Sequence, residues 1–306
     1  MTRKIVVLSS CLLLMLILLN PLYALEMENG RSEEVIVRFE KPLTKVAQEV
    51  IRLYPVARAE IEKTFRAPIG FIPTVILIRD RDTFQRITGS RPVVAVAVSA
   101  EDLIIIDNSS MKSYPFTLKV TLKHELCHLF LNHYIKEGSL PRWLNEGISQ
   151  WASDGIAELV TGRHDNVLKQ ATLSDRIIPL DDISKSFPED ERALHLAYEE
   201  SKSVVEYISG EYGPDGILLV LDLLRDGHSV DSAFLSGLGV SASDLEERWR
   251  EHLRRKTTWF LYMSDHLYQI LFVLAAILLT YAFIKVIVKK RAYKDEGDDE
   301  GDRPAE

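Results

Sequence analysis

Cysteine is all but missing from this chain: there are two, Cys11 and Cys127. Cys11 lies in an N-terminal apolar run that reads as a removable leader. With the leader gone one cysteine is left and no intrachain disulfide is available. Basic residues are outnumbered by acidic ones, 37 to 45. The formal net charge is −8, and no basic stripe interrupts it, which excludes a protein built to hold the phosphate backbone of a nucleic acid. Internal repeats are absent, which excludes a solenoid or propeller. Charged residues make up 27% and apolar residues 46%, the balance of an ordinary globular domain with a core of its own.

Two long apolar runs stand at the ends. Met1–Ala24 has Arg3 and Lys4 before an apolar stretch, then Pro21-Leu22-Tyr23-Ala24, the order expected of a secretory signal. Leu267–Val288 is long enough for one transmembrane helix, with a single charge, Lys285, near its far end. Lys289, Lys290, Arg291 and Lys294 follow and place that end in the cytoplasm. Trp259, Tyr262 and Tyr268 would mark the outer interface. The expected order is a signal peptide at 1–24, an extracytoplasmic domain at 25–257, a span at 267–288 and a basic-then-acidic tail at 289–306.

Within the central domain one stretch carries chemistry: His124-Glu125-Leu126-Cys127-His128. Residues four apart on a helix share a face, so His124 and His128 can reach one metal ion. Glu125 is turned about 100° from His124, beside the ion rather than at it, where a base can take a proton from zinc-bound water. Leu118, Leu122, Leu126 and Leu129 give the helix an apolar surface, Pro115 suits its first turn, and Gly138 its end. A catalytic zinc takes three protein ligands. Glu146, an acid among Trp143, Leu144, Ile148 and Trp151 on a second helix, is the candidate for the third. The plain alternative is a Glu facing solvent near a helix start. Cys127 points about 100° away from His128 and reads as a small buried apolar residue. His133, five residues past His128, is turned away from the site.

His-Glu-Leu-Cys-His, followed by Trp143-Leu-Asn-Glu-Gly-Ile-Ser149 with seventeen residues between His128 and the acid Glu146, resembles the gluzincin (thermolysin-like) zinc metallopeptidases, in particular small bacterial membrane-bound or secreted members. The resemblance implies His124, His128 and Glu146 as zinc ligands and Glu125 as general base. It covers Lys123 to Trp151, with a weaker likeness through Ala197–Ser201 toward Trp249. In many members the residue four after the third ligand is acidic and orients a histidine. Here that position is Gln150, with Asp154 four further on.

The rest of the domain alternates short strands and helices. Strands are expected at Glu34–Phe39, Pro73–Arg79, Val93–Val98 and Leu103–Asp107, the last two as a hairpin. Helices are expected at Leu43–Phe65, Arg81–Ile87, Glu191–Ser209, Asp215–Arg225, Val230–Leu235 and Leu245–Lys256, the last after a capping box at Ser243–Glu246. Ile177–Leu180 reads as a short extended piece. Either Val93–Val98 or Leu103–Ile106 is the candidate edge for adding a substrate strand. Tyr198 is the candidate hydrogen-bond donor to a tetrahedral oxyanion; otherwise it packs with its hydroxyl bonded.

These readings give an α+β fold: a small mixed sheet, then a mainly helical half, with the metal between two helices and a C-terminal transmembrane helix. The expected function is a membrane-anchored zinc metallopeptidase acting on protein or peptide, with no nucleic-acid partner. An inactive zinc-binding scaffold at the membrane is the alternative, and Gln150 is the one residue that points to it.

Overall fold

The computed structural model describes residues 26–89, 92–112, 117–135, 140–153, 167–265 and 267–298. The expected signal peptide, Pro115, Gly138, Asp154 and the end of the acidic tail lie outside the described residues.

Five strands form one mixed sheet: β1 (Met27–Arg31), β2 (Ile36–Glu40), β3 (Thr74–Ile78), β4 (Ala95–Val98) and β5 (Leu103–Asp107). Their order is β1-β2-β3-β5-β4. The three central strands β2, β3 and β5 run parallel, and β1 and β4 close the edges antiparallel. The sequences follow from this placement. Parallel strands covered on both faces become continuous apolar runs, and Leu103–Asp107, Leu-Ile-Ile-Ile-Asp, is buried at every residue. Thr74–Ile78 is buried at all but its first. The hairpin expected between β4 and β5 is present, its strands paired from Ala95–Ile106 to Val98–Leu103. β1 was not anticipated. Met-Glu-Asn-Gly-Arg has no apolar alternation and gains its strand from pairing with β2 across a turn in which Ser32 Oγ accepts from Glu34 and Val35 N–H.

Helices cover the sheet. α1 (Thr44–Phe65) lays Ala47, Val50, Tyr54, Ala57 and Ile61 inward and carries Pro55 on its exposed side. α2 (Arg81–Thr88) is capped by Asp80, whose side chain accepts from Thr83 N–H. Phe84 and Ile87 from α2 join Ile76, Ile78, Leu103, Ile105 and Tyr198 in one apolar cluster. Full burial of each large side chain there favours folding by roughly 1.5–3 kcal/mol.

The helical half follows: α3 (Leu118–Tyr134), α4 (Arg142–Ser153), α5 (Val167–Leu173), α6 (Glu191–Arg225), α7 (Val230–Leu238), α8 (Ala242–Asp265) and α9 (Leu267–Asp298). α3 starts at Leu118 under a Thr117 cap. The two helices expected on either side of Gly213-Pro214 run on as α6 with a kink at Gly213 (φ 74°, ψ 169°). A glycine reaches that conformation freely, and Pro214 gives up its backbone N–H there. The cap of α8 is Ser241, whose Oγ accepts from Asp244 N–H at 3.1 Å, two residues before the Ser243 of the expected capping box. Contacts divide the chain into two compact units, 1–250 and 251–306. The expected span lies in the second unit, on α9. Among the described residues no helix is long and apolar enough to cross a membrane.

Between α5 and α6 the chain runs as a strap rather than a strand. Glu200 Oε1 accepts from Ile178 N–H at 3.0 Å, Glu246 Oε2 accepts from Leu180 N–H at 3.3 Å, and Arg250 binds Glu246 through Nε at 2.9 Å. Glu200 is fully buried. Burial, opposed by the Ile178 bond and Arg250, pushes its carboxyl up to about 8. An acid whose folded pKa is raised keeps its proton in the folded state after the unfolded chain has lost it. Stability is therefore highest below the ordinary carboxyl range and falls as pH rises toward 8, by up to about 1.4 kcal/mol per unit. Glu200→Gln keeps the acceptor for Ile178 and removes the titration. Urea unfolding between pH 5 and 8 should show that the variant gains on the wild type steadily as pH rises; parallel curves would show that Glu200 ionises normally.

Candidate metal centre

The two histidines and the acid singled out from the sequence come together. α3 and α4 pack side by side, and α6 closes over α4. His124 Nε2 and His128 Nε2 are 3.0 Å apart. Glu146 Oε2 lies 3.8 Å from the first and 3.3 Å from the second. His124 is 2% exposed and Glu146 8%, so the solvent-facing alternative for Glu146 does not hold.

A tetrahedral zinc with bonds of about 2.1 Å has ligand–ligand edges of about 3.4 Å. The three measured edges bracket that length, and two imidazoles with one carboxylate form a zinc donor set. Without an ion the three groups perturb one another. Burial, then the neighbouring His128 charge, pushes His124 down to about 3. Burial opposes a charge on His128 too, but Glu146, with Glu125 and Asn145, lifts it to about 9. Burial would raise Glu146, yet His128, His124 and Arg142 bring it down to about 2. A buried carboxylate held ionised against two imidazoles on one point is an arrangement that a divalent cation satisfies.

The support around the ligands differs from expectation. His128 Nδ1 donates to Asn145 Oδ1 at 2.7 Å, and Ser149 Oγ lies 3.1 Å from the same nitrogen. These bonds set the tautomer that leaves Nε2 for a metal. Gln150 does not take this role among the described residues. Its Nε2 donates to the Tyr198 carbonyl at 3.1 Å, which fastens α4 to α6. Asn145 and Ser149 stood in the quoted motif on either side of Glu146, and a helical wheel places them both toward α3. The Nδ1 of His124 is buried. The Ser149 backbone favours its protonation, at a geometry that falls short of a hydrogen bond.

Glu125 is 2% exposed and its charge acts on His128, which places it beside the ligands. Cys127 is buried, and burial pushes its thiol up to about 12, so it is a packing residue with no thiolate to offer. His133 lies away, 2.5 Å from Asp102 and stacked on Phe71. Tyr198 is 5% exposed and packs in the apolar cluster of the sheet, its ring edge-on to Phe187 at 5.0 Å.

The helices approach closely because Gly147 separates them. A Cβ there would stand 2.2 Å from the Ser201 carbonyl oxygen and 2.7 Å from Val205 Cγ2. On its other side α3 is tied to α1 by Lys123, 2.8 Å from Glu60. β4 is an edge of the sheet and packs on α3, whereas β5 lies between β3 and β4. Of the two candidate peptide-binding strands, β5 is thus excluded as an edge.

No curated protein matches the chain. Among solved structures, yeast LTA4 hydrolase in complex with bestatin is similar at 14% identity and a TM-score of 0.43, over 74% of this chain and 37% of that one. An aminopeptidase A from Legionella pneumophila in complex with aspartic acid is similar at 11% identity and a TM-score of 0.43, over 73% and 28%. This chain thus spans about a third of the length of each. The family description that matches is the Peptidase MA superfamily, over residues 92–255. That match runs from the β4 edge through both ligand-bearing helices into α8, more than half of the sequence, and the chain belongs to the Peptidase MA superfamily.

Proposed function

We propose that the protein is a zinc metallopeptidase anchored in a membrane by residues 267–288, with its active domain outside the cytoplasm. The observation that carries the reading is the convergence of His124, His128 and Glu146 on one point, with Glu125 buried alongside. Zinc held there supplies Lewis acidity, polarising a scissile carbonyl and acidifying water. The chain's own residues do the rest. Asn145 and Ser149 hold His128, Glu125 accepts a proton from water and passes it to the leaving amine, and β4 offers a strand edge to extended peptide.

Anchoring is supported by α9, where Phe272, Leu278, Leu279 and Phe283 are each exposed by 66% or more. Apolar side chains in such a run need a covering that water does not provide. The scaffold alternative rested on Gln150, and that residue is occupied with Tyr198 rather than with a ligand.

Zinc per chain and cleavage of casein by the purified full chain test the reading. The wild type should hold one zinc and cut casein. Glu146→Ala removes one of three ligands and should lose both. Stoichiometric zinc with no cleavage of any protein offered would revive the scaffold. Tyr198 is the candidate oxyanion donor, with packing in its apolar cluster the alternative. Tyr198→Phe keeps the ring in its cluster and should lower kcat by about tenfold or more with zinc content intact; an unchanged kcat would leave the tyrosine a packing residue.

A further inference from the structure

Arg142 stands one helical turn before Glu146 on α4, and its placement is set by the strap. Its backbone N–H donates to the Ser184 carbonyl at 2.8 Å. The same strap carries Phe187, whose ring centroid lies 4.9 Å from the guanidinium carbon. A guanidinium stacked on an aromatic face keeps its N–H edge free to bond in its own plane.

Among the described residues little uses that edge. Nη2 reaches Glu146 Oε1 at 3.5 Å, long for a charge-assisted bond. Nε is buried with no partner among the described residues, although the side chain as a whole is 38% exposed. Glu146 turns its other oxygen, Oε2, to the histidines. Once that carboxylate serves a metal, its charge is committed and the charge of Arg142 is open to a second anion.

We infer that Arg142 anchors a carboxylate of the substrate, so that the site prefers peptides with an acidic group next to the scissile bond. The inference rests on the metallopeptidase reading. The carboxylate has two sources, an Asp or Glu side chain or a free C-terminus, and both match the fork of a guanidinium.

The test uses the zinc-loaded full chain in detergent micelles and a peptide that the chain cleaves. Glu125→Gln serves as background so that bound peptide stays whole. Two pairs are titrated: Glu against Gln beside the scissile bond, and free against amidated C-terminus. One acidic member should bind at least about tenfold tighter than its neutral twin, and the pair that shows the ratio identifies the source. Arg142→Ala in the same background should bring that ratio to one while the neutral peptide binds as before. Equal binding within both pairs, or a ratio that survives Arg142→Ala, overturns the assignment. So does a uniform loss for all peptides accompanied by lost zinc, which would make Arg142 a neighbour that only tunes Glu146. Binding without preference sinks the Arg142 assignment alone, whereas a chain that neither cleaves nor binds any peptide sinks the metallopeptidase reading with it.

Discussion

Glu125→Gln should leave one zinc per chain and reduce peptide hydrolysis by about a hundredfold to ten-thousandfold. The substitution preserves volume and one carbonyl acceptor in a position that is 2% exposed, so packing on α3 is undisturbed. What is lost is a carboxylate able to receive a proton. Zinc should stay because the converging atoms belong to His124, His128 and Glu146. The charge of Glu125 also helps His128 hold a proton, and that proton competes with a metal for Nε2. Removing the charge therefore should not weaken zinc binding in mild acid. Zinc content by metal analysis and casein cleavage by peptide release give the two readouts. Full activity in the variant would rule out Glu125 as the base. Loss of zinc along with activity would make Glu125 a support of the ligands instead.

Gly147→Ala should unfold the domain more easily than any conservative change on the same helix. The added Cβ would meet a backbone carbonyl, that of Ser201, at 2.2 Å, not the yielding tip of a side chain. α4 and α6 would have to separate. Overpacking of this kind costs about 1–3 kcal/mol and more where backbone must move, so we expect at least about 3 kcal/mol, or a Tm lower by roughly 6–12 °C. Glu146 precedes Gly147, so the shift also disturbs the third ligand and should weaken zinc binding. Gly210→Ala is the control. It lies in α6 with nothing within 4 Å of the new methyl, and should be neutral or slightly stabilising. Thermal melts of the two variants that coincide would show that α4 and α6 are not in the contact described.

The histidine pair of the candidate metal site was legible because its geometry is local. Four residues make one helical turn wherever the helix lies, so His124 and His128 share a face before anything is known of the fold. Glu146 was legible because an acid among Trp143, Leu144 and Ile148 has to be compensated. The edge strand was narrowed to two candidates by apolar runs, but strand order is a tertiary quantity, and only the sheet placed β5 inside and β4 outside. That Asn145 and Ser149 support His128 was not foreseen from the sequence. A ligand's orienting partner depends on how the two helices that carry them pack, here α3 with His128 against α4 with Asn145 and Ser149.

Local periodicity thus determined where most helices and strands form, which side of each is buried, and that His124 and His128 share one face. Tertiary packing decided the rest: that Met27–Arg31 pairs into a strand, that Gln150 fastens to the Tyr198 carbonyl, that Asn145 and Ser149 steady His128, and that Phe187 lies against Arg142. Each of these contacts joins residues with no periodic relation in the chain. Their energies come from hydrogen bonds and close approach across elements, which the order of amino acids alone does not display.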